Sequence, residues 1–297
     1  MNIEDNTNPS KVTSKITNII PDAQDIIHEV KKKKRDVYFW VAFLVFIMLI
    51  FIFISSKEFS FLLVLSSMTQ SFSFLIIALK VYNYQNSSGL SLNSLICYLI
   101  LIGSRLSSTV MYTGYLPSDE AGDWFYQLME VSSVFLIGVN IFFLTKVYKD
   151  TAESPSEDQV NYFYLVIPAL ILALLVHTSL NHNLLTDVAW SFSMYLETVA
   201  IYPQLFLFQK KGGQIESYTS HYVSLQGLSR LFCLMFWFYT YEELNEEIDT
   251  SYSFFHTSTG YFVIGSQIIQ LVIMIDFYYL YFKSWFKGEK MSIANEI

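Results

Sequence analysis

Charge is what this chain has least of. Only 15% of its 297 residues are Asp, Glu, Lys or Arg while 53% are hydrophobic, and its mean hydropathy is positive. A water-soluble domain covers itself with about 25% charged residues, so an aqueous globule of this length is excluded. Its two cysteines, Cys97 and Cys233, both fall inside apolar runs, which excludes a disulfide scaffold and leaves them as small buried hydrophobes. Acids outnumber bases 26 to 18, an unfavourable balance for a nucleic acid partner. The neighbourhood of His177 and His182 lacks the further ligands that a metal site needs. Neither a nucleophile elbow, a phosphate loop nor an HExxH helix is present, so we expect no enzyme, no metal and no cofactor.

What the chain does have is long apolar runs. Stretches at about 37 to 55, 59 to 79, 91 to 113, 125 to 146, 161 to 177, 187 to 207, 218 to 241 and 259 to 282 are each long enough to cross roughly 30 Å of hydrocarbon as helices. The spacing therefore predicts an all-α membrane protein of about eight spans. Residues 1–36 are polar and end in Lys31-Lys32-Lys33-Lys34-Arg35, which reads as a disordered tail followed by a signal anchor rather than a cleaved leader. With that basic run in the cytosol, Lys80, Lys146, Lys149, Lys210, Lys211, Lys283, Lys287 and Lys290 share its side, as positive charge retained on the cytoplasmic face requires. The opposite loops carry Asp119, Glu120, Asp123, Glu242, Glu243, Glu246, Glu247 and Asp249 against Lys57 alone. Both termini are expected in the cytosol and an acidic surface in the lumen.

An internal repeat organises these spans. Residues 80–106 align without a gap on 205–231, each copy ending in Ser-Arg-Leu: Ser104-Arg105-Leu106 and Ser229-Arg230-Leu231, with Gly103 and Gly227 just before. An even number of spans separates the copies, which predicts two parallel three-helix repeats about an axis along the membrane normal, as in parallel-repeat transporters. The run at 161 to 177 is then a linker, and the run at 37 to 55 an extra N-terminal helix (37–58) before a seven-helix domain (59–283) and a cytosolic tail (284–297).

Arg105 and Arg230 are the basic residues placed well inside spans. Such a side chain near a helix centre costs about 2.5 to 3.5 kcal/mol on insertion scales and normally faces a polar cavity or a carboxylate. Helical rise puts both at about 18 to 21 Å from the cytosolic start of their spans and Glu197 at about 15 Å from the lumenal side. Asp187 and Glu130 fall nearer the lumenal mouth. The functional reading is a lumen-open cavity whose guanidinium groups bind an anion, with Trp190 and Trp237 on the same spans. We expect Arg105 to await a ligand carboxylate while Glu197 mainly holds Arg230. Asp276 sits near the cytosolic face, as a switch residue or a solvated helix end.

From about residue 59 to 292 the chain resembles the endoplasmic reticulum lumenal protein retention receptors, the KDEL or HDEL receptors. The resemblance is carried by Val166-Ile167-Pro168-Ala169, by Trp190-Ser191-Phe192-Ser193-Met194-Tyr195-Leu196-Glu197, by Pro203-Gln204-Leu205, by Thr219-Ser220-His221-Tyr222 and by Asp276-Phe277-Tyr278-Tyr279-Leu280-Tyr281. It implies seven helices in two SWEET-like repeats, and a receptor that binds the C-terminal tetrapeptide of escaped lumenal proteins in the Golgi and returns them to the endoplasmic reticulum. It further implies ligand-binding roles for Arg105, Arg230, Glu197, Asp187, Trp190 and Trp237, a transport role for Asp276, and coat-protein recognition of Lys287 and Lys290. Against the family pattern, Leu63 and Thr240 stand where arginines do, Ser229 and Cys233 replace tyrosines, Ser108 an aspartate and Gln70 a histidine.

Two readings remain open at this point: a cargo receptor of the Golgi and endoplasmic reticulum, and a SWEET-like small-solute or anion transporter hinged at Pro203-Gln204. The orientation common to both is testable at Asn86-Ser87-Ser88, an N-glycosylation sequon in a loop assigned to the cytosol. The native chain is expected to carry no glycan there. An endoglycosidase-sensitive mobility shift that Asn86→Gln removes would reverse the topology.

Overall fold

The computed structural model describes residues 40, 41, 43–45, 47–49, 60–112, 120–178, 183–245, 259–288 and 290–293. The chain forms two compact units, Met1–Ile52 and Phe53–Ile297. In the first, the described residues are all helical; they fall within the expected extra span, whereas the expected tail 1–36 lies outside the described residues.

The second unit is helical. Its elements are α1 (Phe61–Tyr84), α2 (Leu92–Met111), α3 (Glu120–Phe142, running on into a π-helical turn Phe143–Val147), α4 (Phe163–Leu175), α5 (Leu184–Val199), α6 (Tyr202–Lys211), α7 (Ser217–Thr240), α8 (Thr259–Ile273) and α9 (Ile275–Lys287). A short strand, β1 (Gly213–Gln214), pairs antiparallel with β2 (Ser292–Ile293). Helix α1, helix α2 and Asp123–Val147 are each long and apolar enough to cross a membrane, and α8 with α9 forms a further span bent by 47°. Phe135, Ile171, Leu174 and Ile269 point outwards from these helices, as they should where hydrocarbon is the solvent.

Packing follows the repeat. Helix α1 packs on α7 and α3, and α2 on α5 and α3; in the second half α5 packs on α8 and α7 on α8, while α4 lies against α5. Exchanging α1 for α5–α6, α2 for α7 and α3 for α8–α9 maps the first set of contacts on the second. The fold is therefore a multi-pass helical bundle of two like three-helix units joined through α4.

Three expected spans differ in detail. The run at 187 to 207 is not one helix: α5 ends at Val199 and α6 starts at Tyr202. Pro203 occupies the first turn of α6 and lacks the N–H that a continuous helix needs from it. The carbonyl of Ala200, at the break, instead accepts a hydrogen bond from the Ser94 hydroxyl at 2.7 Å. The span at 259 to 282 bends at Met274. Helix α7 has the length of a span, but His221, Gln226 and Arg230 dilute its apolar run, and all three are buried.

The break is also clamped. Gln204 accepts from Ser91 N at 2.9 Å and donates through Nε2 to Gly89 O at 2.8 Å, so one side-chain amide closes on the α1–α2 loop of the other repeat. That loop turns through Gln85 and Gly89, both at positive φ. It is further held by Asp158, which accepts from Ser91 Oγ at 2.7 Å and Asn93 N at 3.0 Å. Pro203-Gln204, expected as a hinge, is thus a braced joint in this structure.

Candidate functional site

The two repeat arginines meet. Helix α2 carries Arg105, α7 carries Arg230, α5 carries Glu197 and α3 carries Glu130; relative exposures of 4%, 1%, 0% and 1% place all four charges inside the bundle. Arg105 donates through Nη1 to Glu197 Oε2 at 2.7 Å, through Nη2 to Gln70 Oε1 at 3.1 Å, and through Nε to Glu130. Arg230 Nη1 forms an ion pair with the same Glu197 Oε2, and its Nη2 donates to Ser229 Oγ at 2.9 Å and more distantly to Ser66 Oγ at 3.4 Å. Glu197 therefore bridges the repeats.

Gln70 completes the bridge. Its Nε2 donates to Glu197 Oε1 at 2.6 Å while its Oε1 accepts from Arg105, so both ends of the amide are used and its orientation is set. Ser66 and Ser229 hydroxyls lie 3.1 Å apart, and Ser229 Oγ also donates to the Ser66 carbonyl at 2.8 Å. These contacts join α1 to α7 beside Arg230. The residues at the family's tyrosine and histidine positions thus serve here as part of the arginine cradle.

The pairing differs from that expected. Arg105 was to be the guanidinium awaiting a partner, with Glu130 nearer the lumenal mouth; instead, all three of its nitrogens are engaged. The reason is where α3 starts. It begins at Glu120 rather than near 125, which carries Glu130 one turn deeper, to about 15 Å of rise. Arg230 is the residue with a donor to spare, because its Nε has no hydrogen-bond partner among the described residues and its contact with Glu197 lacks hydrogen-bond geometry.

Arg105 and Arg230 line one cavity together with Leu63, Ser66, Tyr126, Met194, Trp190 and Trp237. The two indoles meet edge to face with centroids 5.5 Å apart. Only about 10 Å³ of the cavity is open to water centres, room for about one water molecule. The site is closed around its own charges. Of the other expected residues, Asp187 is buried in the first turn of α5 and is not among the cavity's lining residues. Asp276 is exposed in the first turn of α9, directly after the bend, and Lys287 and Lys290 are exposed beyond it. Among the described residues no group of three metal-ligating side chains occurs; His182 lies outside them.

Buried charges exchanged between two like helical triplets, under a pair of tryptophans, define a membrane protein with a ligand cavity at its repeat axis. Residues 86–240 match the ER lumen protein retaining receptor family, and the chain belongs to it. The ER lumen protein-retaining receptor of Petunia hybrida is 30% identical over 230 residues, 76% of this chain and 95% of that protein. Its counterparts in Drosophila melanogaster and Dictyostelium discoideum are each 28% identical, over 75% of this chain and 93% and 94% of their own length.

Glu197 is the keystone of the cluster, and breaking a buried pair costs about 3 to 5 kcal/mol because a charge is left unmatched. Glu197→Ala is expected to lower the thermal midpoint in detergent by several degrees. Glu130→Gln, which leaves Arg105 with Glu197, is expected to cost clearly less. Equal midpoints for the two variants would contradict this order.

Proposed function

We propose that this chain is a cargo receptor that binds the C-terminal retention signal of lumenal proteins and carries them from the Golgi back to the endoplasmic reticulum. Family membership supports the class. The observation that carries the mechanism is the unpartnered Nε of Arg230 at a cavity walled by Trp190 and Trp237, since a guanidinium edge matches a carboxylate and desolvated surroundings strengthen the bond. In this reading Arg105, Glu197 and Gln70 hold Arg230 in place, and the indoles pack on the peptide behind its carboxylate. Asp187 serves as an acidic group near the lumenal mouth. On the cytosolic side, Asp276 takes part in transport, and vesicle coat proteins read Lys287 and Lys290. The protein resides in endoplasmic reticulum and Golgi membranes with both termini cytosolic.

The broken pair α5–α6 and the bent pair α8–α9 favour one second reading, a small-solute or anion transporter, because discontinuous helices line the substrate sites of repeat transporters. Uptake of a solute into proteoliposomes would favour it. The clamp of Gln204 on the opposite repeat weighs on the receptor side.

Losing one member of a buried charge pair at a binding site costs about 2 to 5 kcal/mol, roughly 30-fold to several thousand-fold in affinity. Amidating the C-terminus of a bound peptide, or Arg230→Ala in the receptor, is expected to weaken binding by that range. Arg230→Ala spares the fold, because Glu197 keeps Arg105. An amidated peptide that binds as tightly as its free acid would exclude carboxylate capture.

For the tail, replacing Lys287 and Lys290 together with alanine is expected to move the protein out of the endoplasmic reticulum, as read by fractionation or microscopy. An unchanged distribution would remove the assigned role.

A further inference from the structure

The buried charges of the cavity cancel. Arg105 and Arg230 supply two positive charges, Glu130 and Glu197 two negative ones, and all four are nearly or wholly removed from solvent. A receptor for an acidic peptide end needs positive charge in surplus, and this cavity has none. The side chains completing its wall are neutral, with Leu63 and Tyr126 beside the two arginines. Glu130 makes the difference. It takes the Nε edge of Arg105, and its other oxygen is held only by the distant Thr109 hydroxyl at 3.4 Å, so its contribution here is one negative charge placed against the arginine that would otherwise be in excess.

A second observation has the same sign. The loops assigned to the lumen carry Asp119, Asp123, Glu242 and further acids against Lys57 alone. A surface of that sign draws in cationic peptide ends and slows the approach of anionic ones.

Building on the receptor reading above, we propose that Glu130 sets the charge specificity of the cavity: the preferred ligand is a C-terminal peptide whose free carboxylate is offset by a basic side chain within its last few residues. An added carboxylate on Arg230 leaves the cavity one charge negative, and in a desolvated site that excess has to be cancelled by something that arrives with it. A basic side chain cancels it. Acidic side chains near the terminus add to it and are selected against.

The test compares two free-acid tetrapeptides, one with lysine and one with aspartate next to the terminal residue, and their C-terminal amides. Binding is measured at one pH to purified full-length receptor in detergent, for the wild type, Glu130→Gln and Glu130→Asp. The wild type is expected to bind the lysine peptide about tenfold or more tightly than the aspartate peptide, a preference on the scale of one close charge pair. Glu130→Gln is expected to erase or invert that ratio, and Glu130→Asp to retain it. Damage to folding alone would weaken both peptides and leave the ratio where it was. A wild-type ratio near one, or one that Glu130→Gln leaves unchanged, overturns the charge assignment while carboxylate capture stands. If amidation changes nothing for either peptide, or neither free acid binds a receptor of normal melting temperature, the receptor reading itself fails and this one with it.

Discussion

One carboxylate holds the bundle together at its centre. Glu197 accepts Arg105 from one repeat and Arg230 from the other on a single oxygen, and Gln70 on its second oxygen. In water such contacts contribute little, because each partner exchanges one set of hydrogen bonds for another. Inside a bilayer none of the participants has that alternative, and a lone buried charge is costly enough that the helices carrying it have to arrive together. Four helices, α1, α2, α5 and α7, meet at this point. Their order in the bundle is thereby tied to electrostatics as well as to the shape of apolar faces.

The same arrangement explains how so polar an interior is tolerated. Serine and threonine hydroxyls along α1, α2 and α7 return hydrogen bonds to their own or neighbouring backbone carbonyls: Thr69 to Leu65, Ser73 to Gln70 and Ser220 to Glu216. Gln226 joins α7 to α1 through Ser73 Oγ at 2.8 Å, one turn below Arg230. Small hydroxyl side chains also let helices approach closely, as at Gly227, where an added Cβ would come within 2.8 Å of Met274 Cε on the opposing bend. Close approach and internal hydrogen bonding are what membrane helices use where no hydrophobic force drives them together.

Much of this was legible in the sequence. The apolar runs gave α1, α2 and α3 to within a few residues, and the paired Ser-Arg-Leu segments pointed to the like triplets and to the arginines that face one another. The rest depended on features that run length does not encode. The stretch from 187 to 207 stays apolar through Ala200 and Ile201, so nothing but Pro203 hinted at the break, and the hydroxyl that makes the break tolerable belongs to Ser94 on another helix. Glu130 was misplaced in depth because the acids and glycine before Trp124 read as loop, whereas α3 already begins among them. Gln70 looked like a missing histidine; only the geometry reveals an amide that ties a guanidinium to a carboxylate.

The short pairing of β1 with β2 has a consequence for the cytosolic face. Lys287 closes helix α9, and a few residues later the chain is pinned again, with Ile215 N donating to Met291 O at 2.8 Å and Ser292–Ile293 paired to Gly213–Gln214. The segment bearing Lys290 is therefore a loop fastened at both ends. Ammonium groups on such a loop keep a nearly fixed spacing and direction, so a protein that reads them has little chain entropy to remove on binding. The bridge that holds them in register is two residues wide, which makes it a weak fastener and an easily reversed one.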